Sequence, residues 1–157
     1  MTRFLTVEEM VTRFGEAEML DLAGIGRDRS EDGRRLDQER ILSEINVAEG
    51  EVRAKIISRY PALDELTPEN APELIKGFVG DIARYYLRSH SKSNNQVTDV
   101  VYDRYKRACK MLDDIQMRRA SVDMPEGDAA SGTSSVAAVQ ADFAPNRADE
   151  LLHGYLS

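Results

Sequence analysis

Two apolar stripes at helical spacing constrain this chain more than anything else in it. Ile41, Ile45, Ala48, Val52 and Ile56 follow one another at steps of 4, 3, 4 and 4. Val101, Tyr105, Ala108, Leu112 and Ile115 step by 4, 3, 4 and 3. Residues so spaced share one face of a 3.6-residue helix. Each face needs another element to bury it, so the helices must pack together or on a third. A third apolar face follows Pro72: Leu74 or Ile75, then Phe78, Val79, Ile82, Ala83 and Tyr86.

Local signals set the boundaries. Thr6 with Glu9 fits a capping box, which predicts a short helix over Val7 to Phe14. Gly15 interrupts it, and "EAEMLDLA" adds a turn or two. "GIGRDRSEDGRR" reads as an exposed loop. Asp37 caps the next helix, which Pro61 ends near Tyr60. Gly50 inside it costs about 1 kcal/mol relative to Ala and admits close helix contact. "PALDELTPENAP" is a connector. The third helix runs from Pro72 to Leu87 or His90, and Thr98 caps a fourth that reaches about Arg118. Alternating runs of β-branched residues are absent, so no strand is predicted. The expected fold is all-α, a small bundle of about four helices with an extended C-terminal tail.

Length and composition fit that reading. The chain has 157 residues, 41% hydrophobic and 31% charged, which suits one soluble domain. A single cysteine, Cys109, precludes an internal disulfide and points to a reducing compartment. No apolar run approaches the roughly 20 residues that span a bilayer, so no membrane partner is expected. "MTRFLTVEEM" lacks the apolar core and cleavage site of a secretory signal.

The net charge is −7, and five of those charges lie from Ala120 onward, where six acids face one base, Arg147. Such a balance argues against a general phosphate-neutralising nucleic-acid binder. We divide the chain into a helical body, 1–119, and a tail, 120–157. "AASGTSSVAAVQADFAPN" is too poor in bulky apolar residues to fold alone. The end, "RADELLHGYLS", regains Leu151, Leu152, Tyr155 and Leu156. With Phe143 on the tether, these residues form the pattern of a docking segment. The plainer alternative is that the end packs on its own body.

Signals for chemistry are weak. His90 and His153 have no partner at metal-ligand spacing, and His90 suits a helix C-terminus. Cys109 lies beside an apolar stripe and reads as a buried thiol. "GIGRDRSEDG" matches neither phosphate-loop pattern. The carboxylates fall on polar helix faces, with no sign of a coupled acid–base pair. No catalytic, cofactor-binding or metal-binding residue is nominated, and no cofactor is expected.

Two clusters remain. Arg104, Lys106, Arg107, Lys110, Arg118 and Arg119, with Tyr102 and Tyr105 nearby, are a candidate basic face. A nucleic acid could use it, as could an acidic partner or the tail of a neighbouring copy. Asp103, Asp113 and Asp114 in the same segment favour an ordinary solvated face. In "GFVGDIARYYLRSH", Phe78, Ile82 and Tyr86 point to the core while Asp81 and Arg84 edge it. Asp81 and Arg84 are three residues apart and would pair for only about 0.3 kcal/mol. Fixing a helix crossing or a subunit contact is a stronger use for Asp81, Arg84, Tyr85 and Tyr86.

The order RFGE, SRYP, DIARYYL and RYKRACKMLDDI resembles the Mu-like head–tail connector family of tailed phages, over roughly Met1 to Met124. Here the Tyr60–Leu74 connector is more acidic, and the tail beyond Met124 is longer, so no family residue carries onto it. The resemblance implies a small all-α structural protein of the adaptor or head-completion class, without cofactor or turnover. It implies about twelve copies in a closed ring under the portal protein. The ring extends the DNA channel toward the tail and meets the next neck or tail-completion protein. DNA then passes through the lumen without specific binding. The expected location is the virion neck, with host cytoplasm during assembly. The alternative is a small helical DNA-binding or regulatory protein using the basic face of helix 98–119.

Overall fold

Thr6 starts the first helix as its sequence predicts. Its hydroxyl accepts from the Glu9 N–H at 3.1 Å, and the Glu9 carboxylate accepts from the Thr6 N–H at 2.8 Å. This computed structural model describes residues 4–26, 34–91 and 97–127. Helix α1 spans Val7–Phe14 and α2 spans Glu16–Ala23. Gly15 between them holds φ at 92°, in the region that favours glycine, which breaks one helical stretch into two.

The chain then makes a minimal antiparallel pair, β1 (Gly24–Ile25) with β2 (Arg35–Leu36), in register Gly24 to Leu36 and Ile25 to Arg35. The sequence predicted no strand, and two residues are too few to show an alternating pattern. The Asp37 N–H donates to the Ala23 carbonyl at 2.7 Å, so α3 begins where α2 ends.

Helix α3 spans Gln38–Ile56, with the Asp37 side chain accepting from the Arg40 N–H at 3.1 Å. It stops four residues short of the predicted end at Tyr60. Pro61 opens a 3-10 helix, Pro61–Glu65, and the residues between form a turn that buries the Tyr60 ring completely. Gly50 has nothing within 4 Å of where a Cβ would sit, so no close helix contact within the described chain explains it.

Helix α4 spans Glu73–Ser89 and α5 spans Asp99–Gln116. Ile75 is fully buried and Leu74 is exposed, which settles the register of the α4 face. Thr98 caps α5 through the Val101 N–H at 3.4 Å. Helix α5 ends before Arg118, whose φ of 60° is left-handed and stops the helix.

Helices α3 and α4 form the central pair. Helix α5 packs against both, α2 also packs against both, and α1 packs on α2 and α3. Ile45, Val52, Ile56, Ile82, Leu87 and Ile115 are fully buried between these elements. Phe4 and Leu5 are also fully buried, and both their N–H groups donate to the Glu49 carboxylate, at 2.8 and 3.2 Å. Glu49 is only 6% exposed, so those backbone bonds offset the cost of burying it.

The body continues beyond the predicted boundary at 119. Val122 is buried, and its N–H donates to the Tyr60 hydroxyl at 3.0 Å. The Gly127 N–H donates to the Arg59 carbonyl at 3.0 Å. The first compact unit is Met1–Gly127, and the second, Asp128–Ser157, lies outside the described residues.

Candidate functional site

Arg84 and Asp81 do not pair with each other. Arg84 grips Glu18 of α2 with two bonds of 2.7 Å, and Arg88, one turn on, adds a third at 2.7 Å. Arg84 also lies over the Phe14 ring, its guanidinium carbon 4.7 Å from the centroid. Burial would push the Glu18 carboxyl up, but the hydrogen bonds from Arg84 and Arg88 outweigh it and hold the group below its ordinary value. Asp81 instead faces Arg104 of α5 at 3.8 Å. Burial pushes its carboxyl up, and Arg104, Arg84 and Arg13 only partly oppose this.

The two tyrosines of α4 sit at the α5 seam. Tyr85 stacks on Tyr105, with centroids 4.0 Å apart and planes at 12°. Such a pair adds about 1 kcal/mol beyond area burial. The Tyr86 hydroxyl donates to Glu51 of α3, and its ring stacks on His90 at 5.9 Å. Burial and the Glu51 carboxylate together push the Tyr86 hydroxyl far above its ordinary value. These four residues therefore bind α4 to α2, α3 and α5.

Other cross-helix ion pairs extend this arrangement. Lys76 of α4 is 6% exposed and reaches Glu9 of α1 at 2.7 Å. Arg53 forks Asp64 at 2.7 and 2.9 Å, and Lys55 pairs with Asp113. Arg59 is the most connected. It donates to the Ile115 and Ala120 carbonyls at 2.7 and 2.6 Å and to Glu126 at 2.6 Å. That arrangement gives the Ala120 carbonyl a donor and the Ile115 carbonyl a second one beside the Arg118 N–H, just past the end of α5.

A cleft of about 480 Å³ between α3 and α5 is lined by Glu51, Lys55, Tyr105, Cys109 and Leu112, among others. Cys109 is half-buried rather than fully buried as predicted. Burial pushes its thiol up, against a hydrogen bond with Tyr105, which is the opposite of an activated nucleophile. The hydrogen bond to Asp113 raises the Lys55 ammonium, so it stays protonated. Neither group is poised for nucleophilic chemistry at neutral pH. Among the described residues, no cluster of three or more His, Cys, Asp or Glu side chains is placed to hold a metal. No described helix is long and apolar enough to cross a membrane.

The candidate basic face is exposed but divided. Arg104 faces Asp81, and Arg119 faces Asp114 at 3.9 Å. Lys106 lies over the Tyr102 ring at 5.3 Å. Arg107 and Lys110 point outward from the middle of α5, and Arg118 follows the helix in its left-handed turn. Over its length α5 carries four acids and four bases. The proposed docking residues Phe143, Leu151, Leu152, Tyr155 and Leu156 lie outside the described residues.

Sequence reasoning missed the Glu18 and Arg59 junctions. Arg84 and Arg88 at i, i+4 were a visible signal for the first, since both fall on one helix face. Nothing local marked Arg59, whose partners lie more than 50 residues away.

No curated protein sequence matches the chain significantly. The family model described as "Bacteriophage Mu, Gp36" matches residues 4–141, covering the whole described body. The chain belongs to the bacteriophage Mu Gp36 family and is a phage structural or morphogenesis protein.

Proposed function

We propose that this chain is a head–tail adaptor that forms a ring beneath the phage portal and extends the DNA channel toward the tail. The observation that carries this reading is the family match over residues 4–141, which contains the ordered run of motifs from RFGE to LDDI and extends past the Met124 limit expected from those motifs. The body's construction supports it. Ion pairs and stacked rings join α1, α2, α3, α4 and α5 into one unit suited to repeated placement. A closed ring lets modest contacts add through avidity.

In this account the tail docks the portal through Leu151, Leu152, Tyr155 and Leu156, with Phe143 on the tether. The other end of the ring receives the next neck or tail-completion protein. The lumen is mostly negative, so DNA slides through without holding. The equal count of acids and bases on α5 favours this over specific duplex binding, which needs a net basic surface.

The test is mass photometry of portal rings mixed with the intact chain, the chain cut after Gly127, or the Leu152→Asp/Tyr155→Asp variant. Cutting after Gly127 spares the contacts of Arg59 with Glu126 and Gly127. The intact chain should add a fixed multiple of copies, and both altered chains should add none. Equal loading by all three would remove the tail from the docking role. No loading by the intact chain, with a steeply salt-dependent affinity for duplex DNA, would replace the adaptor with a DNA-binding protein.

A further inference from the structure

A ring of identical copies needs two different patches on each copy, placed so that one meets the other on its neighbour. The body carries two such patches, one on the α1–α2 layer and one on α5. Glu18 of α2 is gripped by Arg84 and Arg88, and Phe14 of α1 lies against Gly80. At the α5 seam, Tyr85 stacks on Tyr105 and Asp81 faces Arg104. The α1–α2 layer and α5 therefore pack on the α3–α4 pair through different faces of α4.

The flanks differ in charge. Over Val7–Ala23 five acids stand against one base, Arg13. Glu9, Glu18 and Asp21 are engaged by Lys76, by Arg84 and Arg88, and by Arg34. Glu8 and Glu16 are exposed, and no ion pair reaches either among the described residues. On α5 the terminal acids Asp113 and Asp114 are engaged by Lys55 and Arg119. Lys106, Arg107 and Lys110 are exposed in the middle of the helix, without an ion pair among the described residues. Asp99 and Asp103 are the acids closest before them in sequence, and neither pairs with them. The same flank exposes Tyr102, at 45%, and Met117, at 61%, as apolar area for a contact.

We infer that α5 of one copy packs against the α1–α2 flank of a second copy, with Lys106, Arg107 and Lys110 facing the neighbour's Glu8 and Glu16. The inference rests on the ring reading above and adds which faces meet and in what order. The basic patch in the middle of α5 and the acidic pair on the α1–α2 layer fix a head-to-tail direction, because pairing of like patches is repelled. Tyr102 and Met117 supply apolar area at the two ends of the contact, and the charges between them set register and steer approach.

Charge reversal in pairs tests it. One variant carries Lys106→Glu, Arg107→Glu and Lys110→Glu, the second carries Glu8→Lys and Glu16→Lys, and the third carries all five. All five positions are exposed, and circular dichroism checks the fold of each. Mass photometry then reads the fraction of portal rings that hold a full complement at limiting chain. The first and second variants alone should each lower that fraction by more than about tenfold. The third should restore it, because its flanks match again with signs exchanged. An equal mixture of the first two should also recover it by alternating around a ring of even number. Wild-type loading by either single-flank variant, or failure of the third to restore it, would overturn the inference and leave the adaptor reading standing. A wild-type chain that never completes a ring would overturn both.

Discussion

Arg84 holds Glu18 with both arms of its guanidinium, Nε to Oε1 and Nη2 to Oε2, each at 2.7 Å. A planar fork matched to a carboxylate carries direction as well as charge, so the pair sets the angle at which α2 meets α4. The surrounding side chains leave it little water, with Glu18 18% and Arg84 15% exposed.

Glu18→Gln should destabilise the body by about 1–3 kcal/mol, because two guanidinium groups lose their counter-charge in a half-buried site. Arg84→Lys should recover little, since an ammonium cannot make the paired bonds. Urea denaturation followed by circular dichroism measures both.

The same pair makes stability depend on acid. The folded-state value of Glu18 lies below the ordinary 4.5, so the folded chain holds that proton less tightly than the unfolded chain. The contribution is complete above pH 4.5 and is lost as pH falls through the folded value. Melting temperature should therefore drop below pH 4.5 more steeply in wild type than in Glu18→Gln. Parallel curves would assign the acid sensitivity to other carboxylates.

Arg59→Ala should cost about 1–2 kcal/mol, through the Ala120 carbonyl left without its donor, while the Ile115 carbonyl keeps the Arg118 N–H at 3.1 Å. Limited proteolysis should then cut between Ile115 and Gly127 sooner than in wild type. Unchanged cleavage would mean that Tyr60 and Val122 hold that segment without help.

Gly50→Ala should stabilise the isolated chain by about 0.5–1 kcal/mol, since a methyl group there meets nothing and the helix gains propensity. A destabilised variant would show that the open space is filled in solution.

Cys109 should react with a disulfide reagent at pH 8 more slowly than a free thiol, because burial raises its thiol and starves the thiolate. Unfolding in urea should restore the free-thiol rate. Fast reaction in the folded chain would contradict the half-buried environment.

Much of the helical frame was legible because it is local. The Thr6, Asp37 and Thr98 caps and the stripes on α3, α4 and α5 are patterns of a few residues, and each is present. The β1–β2 pair was not legible, because it is made by loop ends ten residues apart and has no periodicity. Nor was the continuation to Gly127. Val122 and Gly127 are held by Tyr60 and Arg59, and composition alone does not reveal such distant anchors. Asp81 and Arg84 showed a possible local pair, and tertiary partners won at both ends because a fork on Glu18 outweighs an exposed i, i+3 contact.

Electron microscopy of purified portal rings incubated with the chain tests the central claim most directly. The adaptor account predicts side views with an added coaxial ring of density on the tail-facing end, continuous with the channel. Portal side views that stay unchanged at saturating chain, or density scattered over the outer wall without a common axis, would contradict it.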